Sequence, residues 1–543
     1  MPETAISTSA YAIDFGTSNT AIARWNAATQ QPETVTLPGL SVRLGQNPPL
    51  IPSLVYVEDA AQDRVIVGQK VRDRALELKA NPRLFRSFKR GIGANIQGFL
   101  PELDGQIITF EQVGEWFLNQ LITQLQAQEV GGSRLQSLVL TVPVDSFEAY
   151  RSWLSQVCQQ LPVEQVRMLD EPTAAALGYG MTDQQILLVV DFGGGTLDLS
   201  LVRLDANQKA GKKPLGFILK WGEKFLADSG KQQAKTARVL AKAGQNLGGS
   251  DLDNWIAEDL EKTTGLAITP LTIRLAERLK IQLSAQSTAR EVHFDDTTFE
   301  SYELELDRPR LESILKANQF FERLDESMVQ VLQQARRQGI EVADIDGVLL
   351  VGGTVQIPAV QTWIKQYFEE SKIHSQQPFE AIAKGALYVS QGIEVQDFLY
   401  HSYGIRYWDR RNNRHGWHSL IKAGQVYPMN SPVELVLGAS TENQPSIELI
   451  IGELGAETGG TEVYFDGDRL IARRLDSSQT QVQPLNDKDG ARAIAQLNPA
   501  GFPGNDRIKV SFQVDAQCFL RITVEDLLAN QILLANQPVV QLS

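Results

Sequence analysis

An Asp-Phe-Gly triplet followed by small and hydroxyl residues occurs twice in the chain. Asp14-Phe15-Gly16-Thr17-Ser18 and Asp191-Phe192-Gly193-Gly194-Gly195-Thr196 each close one apolar run and open another. The pattern predicts strand, small-residue turn, strand. Glycine and hydroxyl residues let backbone N–H groups close around phosphate oxygens. An aspartate at each strand end can hold a hydrated Mg²⁺ that neutralises phosphate charge. A single copy is also what an ordinary tight hairpin looks like. Two copies with matching aspartates predict a duplicated domain that clamps one nucleotide from both sides. No Walker-type G-x-x-x-x-G-K-[ST] occurs, so a P-loop fold is not supported.

Two further segments fit the same cleft. Val348–Val351 is a buried-strand pattern ending in Gly352-Gly353, where a base or ribose could pack against bare backbone. Arg167 to Gly180 (RMLDEPTAAALGYG) reads as a strand end, an acidic-Pro turn and an Ala-rich helix start. Its alanines permit close packing at a junction, and Glu171 points an acid toward the cleft.

The elements that must position these residues follow from periodicity. From Tyr11 to about Val395, short apolar runs (138–142, 186–191 and 348–351) alternate with amphipathic patterns such as 111–128 and 147–160. That alternation predicts α/β architecture. After about Tyr400, strand-like runs at 433–437, 446–451, 461–465, 507–514 and 519–524 are separated by turn residues, which predicts an all-β region. The lysine-rich stretch from about 203 to 242 interrupts the α/β part and reads as a solvated insertion, with an acidic-partner surface as the alternative.

The 543 residues carry 51 Lys+Arg against 65 Asp+Glu, a net charge of -14, with 43% hydrophobic residues. Disorder of the whole chain is excluded, and the acidic balance argues against a nucleic-acid partner. Cys158 and Cys518 are the only cysteines and predict two buried thiols rather than a disulfide; with five histidines, a structural zinc site is not expected. The N-terminus lacks a basic segment leading into an apolar one, and no apolar run spans a bilayer. A cytoplasmic protein without a membrane partner is the expectation.

In order along the chain, IDFGTSNT, FKRGIG, LTVPV, LDEPTAAALGYG, DFGGGTLD, NLGGSDLD, AERLKIQLS and VLLVGGTVQIP resemble the seventy-kilodalton heat-shock (DnaK-like) chaperone family. SLIKAGQVYP, ASTENQPSIELIIGELGAE and NDRIKVSFQVDAQCFLRITVED resemble its peptide-binding domain. The resemblance implies an actin-like (ribonuclease H-like, duplicated) α/β ATPase domain at 1–394, a linker at 395–402, and a β-sandwich at 403–543. It implies that Asp14, Glu171 and Asp191 organise Mg²⁺ through water, while Gly16, Thr17, Ser18 and Gly193, Gly194, Gly195 and Thr196 cradle the phosphates of ATP or ADP. Lys89 would position the attacking water or the γ-phosphate. Gly248 and Gly249 belong to the same nucleotide site. Glu277, Lys280 and Ser284, on one helix face, would contact the adenosine, with Gly352 and Gly353 opposite.

The implied activity is slow ATP hydrolysis, by Lys89, Glu171, Asp191 and Thr196, that controls binding of extended or unfolded polypeptide segments. An ATP-binding regulatory or scaffold protein with little hydrolysis is the alternative. J-domain and nucleotide-exchange cochaperones are implied partners, Arg167 matching a J-domain contact, although the shortened linker VQDFLYHSYGI argues against that coupling. Further departures are Gln356 where relatives carry Arg, Phe379 where they carry Asp, WDRRNNRHGW (408–417) in place of an apolar loop, and no helical lid after the β-region.

Overall fold

The computed structural model describes residues 10–78, 80–93, 100–129, 135–143, 148–181, 185–205, 236–295, 299–390, 399, 402–409, 414–422, 425, 427–429, 431–454, 461–466, 469–474, 482–486, 493–504, 506–515 and 518–542. Contacts divide the chain into two units, 1–395 with 462–473, and 396–461 with 474–543.

The first unit contains the same sheet twice. In the first copy the strands are β1 (Ala10–Asp14), β2 (Asn19–Asn26), β3 (Gln31–Thr34), β4 (Leu135–Val142) and β5 (Val163–Asp170), in spatial order β5-β4-β1-β2-β3, with Ile51–Pro52 added beside β2. In the second they are β6 (Ile186–Phe192), β7 (Leu197–Asp205), β8 (Thr236–Gln245), β9 (Gly347–Val351) and β10 (Ile373–His374), in order β10-β9-β6-β7-β8. In each copy two parallel pairings flank the leading strand on one side, and two antiparallel pairings lie on the other. The duplicated hairpin motif thus extends to a duplicated sheet. β4, β6 and β9 are almost wholly buried, which explains their continuous apolar runs.

A helix follows the last strand of each copy: α1 (Glu171–Gly178) after β5 and α4 (Ala381–Ser390) after β10. These two cross between the sheets. A Cβ on Gly178 would collide with the Ala381 carbonyl oxygen, and one on Gly385 with that of Ala174. The small side chains of Ala174, Ala175, Ala176, Ala383 and Ala386 belong to the core cluster joining both sheets, with Val139, Leu169, Val189 and Leu349. The alanine run is therefore a helix-crossing surface. Asp170 caps α1 by accepting from Thr173 N–H at 2.8 Å, with Pro172 in the first turn, so the expected separate acidic-Pro turn is the helix start itself.

Two longer helices pack on the second sheet: α2 (Gly249–Thr264) and α3 (Pro270–Ala285). Thr269 caps α3, and Leu275, Ala276, Leu279 and Leu283 face inward from it. The helical pattern at 111–128 is a helix over Phe110–Gln128, and that at 147–160 is helical over Glu148–Gln160.

The lysine-rich stretch needs correction at its ends. Strand pairing runs out to Asp205↔Thr236, so 203–205 and 236–242 belong to β7 and β8; residues 206–235 lie outside the described residues. Most of the linker 395–402 also lies outside them.

The second unit is β-rich. One four-stranded sheet joins Ser402–Asp409, Arg414–Ile421, Ile451–Leu454 and Val482–Pro484; another joins Val433–Gly438, Asp506–Val514, Phe519–Asp526 and Gln531–Gln541. The expected strand 446–451 is broken at Ile450 into Gln444–Leu449 and Ile451–Leu454, which pair in different sheets. Ile508, Val510, Phe512 and Val514 alternate into its core, as the period of two required. Residues 410–413 of the 408–417 segment lie outside the described residues. Cys158 and Cys518 are both buried and are not joined in a disulfide. Among the described residues no helix is long and apolar enough to cross a membrane.

Candidate functional site

The carboxyl ends of β1, β4, β5, β6 and β9 carry, in turn, Asp14, Pro143, Glu171, Asp191 and Gly352. Open parallel sheets bind ligands at this edge, where loops leave the strands with unpaired backbone. The two hairpins meet there. A Cβ on Gly194 would collide with Ser18 Oγ; one on Gly195 would lie 2.7 Å from Thr17 Cγ2 and from Arg90 Nε. Gly193 N–H donates to the Thr196 carbonyl at 3.1 Å, closing the second turn. Ser53 supports the first turn, its hydroxyl donating to the Gly16 carbonyl at 2.7 Å.

A third turn closes on the second hairpin. Gly249 N–H donates to the Gly193 carbonyl at 3.1 Å, and Ser250 N–H to that of Gly194 at 2.9 Å. A Cβ on Gly248 would lie 2.5 Å from Gly194 C, so only glycine permits the approach. Thr354 Oγ1 donates to the Gly193 carbonyl at 2.8 Å, bringing the Gly352-Gly353 turn to the same place. Gly352 has φ +88° and lies against the Phe192 carbonyl, a double requirement for glycine.

Acidic groups crowd this edge. Asp191 pairs directly across the hairpin with Asp198, and both line a small cavity with Glu171, Pro143 and Ser200. Burial and then the Glu171 charge push the Asp14 carboxyl up to about 7, although Lys89 and a 3.1 Å hydrogen bond from Thr141 oppose this. Burial, followed by Glu171, Asp198 and Asp14, holds Asp191 well above the usual carboxylate range. Lys89 donates to Glu171 Oε1 at 3.1 Å and lies 5.6 Å from the Phe15 ring centroid. Burial pulls Lys89 down, but Glu171, Tyr150 and Asp14 outweigh it, so its net shift is upward and it stays charged.

Hard oxygen donors of this kind suit Mg²⁺. Among the described residues no three acid, His or Cys side chains converge closely enough to ligate an ion directly.

The structure brings Asp14, Gly16, Thr17, Ser18, Lys89, Glu171, Asp191, Gly193, Gly194, Gly195, Thr196, Gly248, Gly249, Gly352 and Gly353 to one edge. Lys280 joins through the Gly249 carbonyl at 2.7 Å, and it also pairs with Asp253 at 2.7 Å. Glu277 is engaged otherwise. Its carboxylate pairs with Arg274 and, at 3.5 Å, with Arg72, while Glu77 pairs with both guanidiniums at 3.3 and 3.4 Å. Burial works to raise Glu277, but Arg72 and Arg274 prevail and lower it to about 2. Ser284 lies a turn beyond Lys280 and is half-buried. The Phe379 ring packs against Gly353, 3.0 Å from where its Cβ would be.

Sequence reasoning did not single out Arg90, Thr141, Asp198, Asp253 or Thr354. Arg90 donates to the Gly195 carbonyl and, at 3.4 Å, to Asp251. Arg90, Asp198 and Asp253 sit inside segments already singled out, beside Lys89 and at the ends of DFGGGTLD and NLGGSDLD. Arg72 and Glu77 had no local signal. Arg167, the residue that matches a J-domain contact, is buried and donates to the Val389 carbonyl at 2.7 Å.

A sequence model of the family described as Hsp70 protein matches residues 94–209 and 235–406, just over half of the chain. The chaperone protein dnaK1 of Synechocystis sp. is 27% identical over 448 residues, which cover 78% of this chain and 55% of that protein. The chaperone protein DnaK of Elusimicrobium minutum is 27% identical over 548 aligned residues, 96% of this chain and 75% of that protein. The chain thus spans about half the length of the first of these relatives and three quarters of the second. With the family's match running through the strand that carries Asp191, the Gly248-Gly249 turn and the Gly352-Gly353 turn, the chain belongs to the Hsp70 family.

Proposed function

We propose that this chain is an ATP-dependent, DnaK-like chaperone whose first unit is an actin-like clamp that binds and slowly hydrolyses ATP. The carrying observation is the meeting of two Asp-Phe-Gly hairpins, Gly194 on Ser18 and Gly195 on Thr17, beneath a third glycine turn. Backbone N–H groups of Gly16–Ser18 and Gly193–Thr196 would cradle the phosphates. Asp14, Glu171 and Asp191 would hold the water shell of Mg²⁺, which supplies charge neutralisation at the phosphates. Lys89, kept charged and oriented by Glu171, would hold the attacking water or the terminal phosphate. Lys280 would fix the Gly249 turn from the nucleoside side.

The β-rich unit would bind extended or unfolded segments through main-chain hydrogen bonds, with apolar pockets for alternate side chains. Linkage then requires that bound peptide also bias the nucleotide site. Single-turnover hydrolysis with Mg²⁺, in wild type and in Lys89→Ala and Glu171→Ala, is the test. All three binding ATP with none hydrolysing it leaves a regulatory nucleotide-binding protein. Hydrolysis and nucleotide affinity both indifferent to unfolded peptide defeat the chaperone coupling alone.

A further inference from the structure

Two adjacent residues of the short helical turn Phe88–Gly91 reach in opposite directions. Lys89 bonds back to Glu171, which stands with the first sheet, while the Arg90 guanidinium crosses to the second half of the unit. There it donates to the Gly195 carbonyl and, at 3.4 Å, to the Asp251 carboxylate, which also accepts the Gly248 N–H at 2.7 Å. A Cβ on Gly195 would lie 2.7 Å from Arg90 Nε, so the guanidinium fork lies directly against the second hairpin. The Arg90 side chain is 9% exposed, and water competes little for bonds so enclosed.

Each end of this link is held by its own half. Phe88 packs on Phe15 and Phe117, with ring centroids 5.9 and 5.7 Å apart, and a Cβ on Gly91 would collide with the Phe110 ring. The second hairpin is held by Gly249, Ser250 and Thr354, which donate to the Gly193 and Gly194 carbonyls. Lys89 thus moves with the first half and the second hairpin with the other, and Arg90 bonds one to the other. A guanidinium holds two acceptors at once in fixed geometry, which an ammonium on a flexible stem does not.

We propose that Arg90 is a further positioning residue, setting the distance between the Lys89 ammonium and phosphates held on the second hairpin. This rests on the ATPase reading. In the step it serves, the water oxygen bonds to the γ-phosphorus as the bond to the β–γ bridging oxygen breaks. The products are ADP and phosphate, with the released proton passing to solvent. Arg90 acts through Lys89 and Gly195 and touches none of the reacting atoms.

Arg90→Lys keeps an aliphatic stem and a cation but removes the fork, and Arg90→Ala removes all three. With the full chain and Mg²⁺·ATP, both single-turnover rates are expected to fall roughly tenfold or more, because misplacing a catalytic group by about 1 Å can cost a hundredfold. ATP and ADP affinities should stay at their wild-type values, since the second hairpin keeps its own hydrogen bonds. The urea midpoint of Arg90→Lys should also match wild type. A wild-type rate in Arg90→Lys overturns the proposal. So does a rate loss in that variant that comes with lost ATP affinity or a lowered urea midpoint, the marks of a merely structural role. Crystal structures of the nucleotide-free full chain, wild type and Arg90→Lys, are expected to show the Phe88–Gly91 turn drawn back from the Gly195 carbonyl by about 1 Å in the variant. An unmoved turn overturns the proposal independently of turnover. A wild-type chain that binds ATP without hydrolysing it defeats the ATPase reading and the proposal with it, whereas hydrolysis equally fast in wild type and both variants defeats the proposal alone.

Discussion

The Lys89 ammonium donates to Glu171 Oε1 at 3.1 Å, and each side chain is 10% exposed. The lysine comes from the short helical turn Phe88–Gly91 and the glutamate from the first turn of α1, 82 residues later. Removing one partner of such a pair strands the other charge. Lys89→Ala is expected to destabilise the nucleotide-free protein by about 3 kcal/mol, and adding Glu171→Gln should restore most of that loss. Urea denaturation of the two variants checks this. If the double variant is no more stable than the single, the pair is not what holds Glu171.

Gly193 and Gly194 are neighbours with opposite surroundings. A Cβ on Gly193 meets nothing within 4 Å, whereas one on Gly194 collides with Ser18. Gly193→Ala should keep wild-type thermal stability and lose ATP affinity about tenfold or more, because its methyl enters the proposed phosphate cradle. Gly194→Ala should lose about 1–3 kcal/mol of stability, since the two hairpins must separate. Calorimetric ATP titration and thermal melts of both variants distinguish the cradle from the packing contact. Equal behaviour of the two would falsify the assignment.

The raised Asp14 carboxyl makes stability depend on pH in a definite direction. An unfolded chain releases this proton near 3.8, while the folded one keeps it to about 7. Between those values the folded state binds more protons, so this contribution to stability falls as pH rises and then levels off. In chelator, Asp14→Asn should gain stability over wild type at pH 8, and gain less at pH 5. Urea midpoints at both values measure the difference. A gain independent of pH removes Asp14 as its source.

Arg72 and Glu77 belong to the segment after the first sheet's opening strands, whereas Arg274 and Glu277 lie on α3, which packs with the second sheet. These four side chains tie the two halves of the first unit beside Lys280. Arg72→Ala is expected to weaken that tie and speed ADP release several-fold, with little change in single-turnover hydrolysis. Stopped-flow release of a fluorescent ADP reads the first quantity. An unchanged release rate confines the cluster to a structural role.

At the crossing of α1 and α4, the backbones approach so closely that a Cβ on Gly385 would collide with the Ala174 carbonyl oxygen. Gly385→Ala should cost about 3 kcal/mol or more, because a backbone carbonyl cannot move aside as a side chain can. Gly265→Ala, at a helix end with open space but φ +73°, should cost only about 1 kcal/mol. Parallel urea titrations rank the two.

Local pattern alone determined much of this protein. The paired Asp-Phe-Gly turns, the buried strands at 186–191 and 348–351, and the alternation in 508–514 are set by residues close together in sequence, where backbone sterics and apolar period act directly. The duplicated turn sits at the same place in each copy of the sheet, with its aspartate at or one residue before the end of the leading strand. Tertiary structure decided the rest. It engaged Glu277 with Arg72 and Arg274, and it buried Arg167 against Val389. It also set Asp198 opposite Asp191. An ion pair depends on distances between elements that lie tens to hundreds of residues apart. Sequence spacing carries no record of those distances until the two sheets pack through the alanine-lined crossing of α1 and α4.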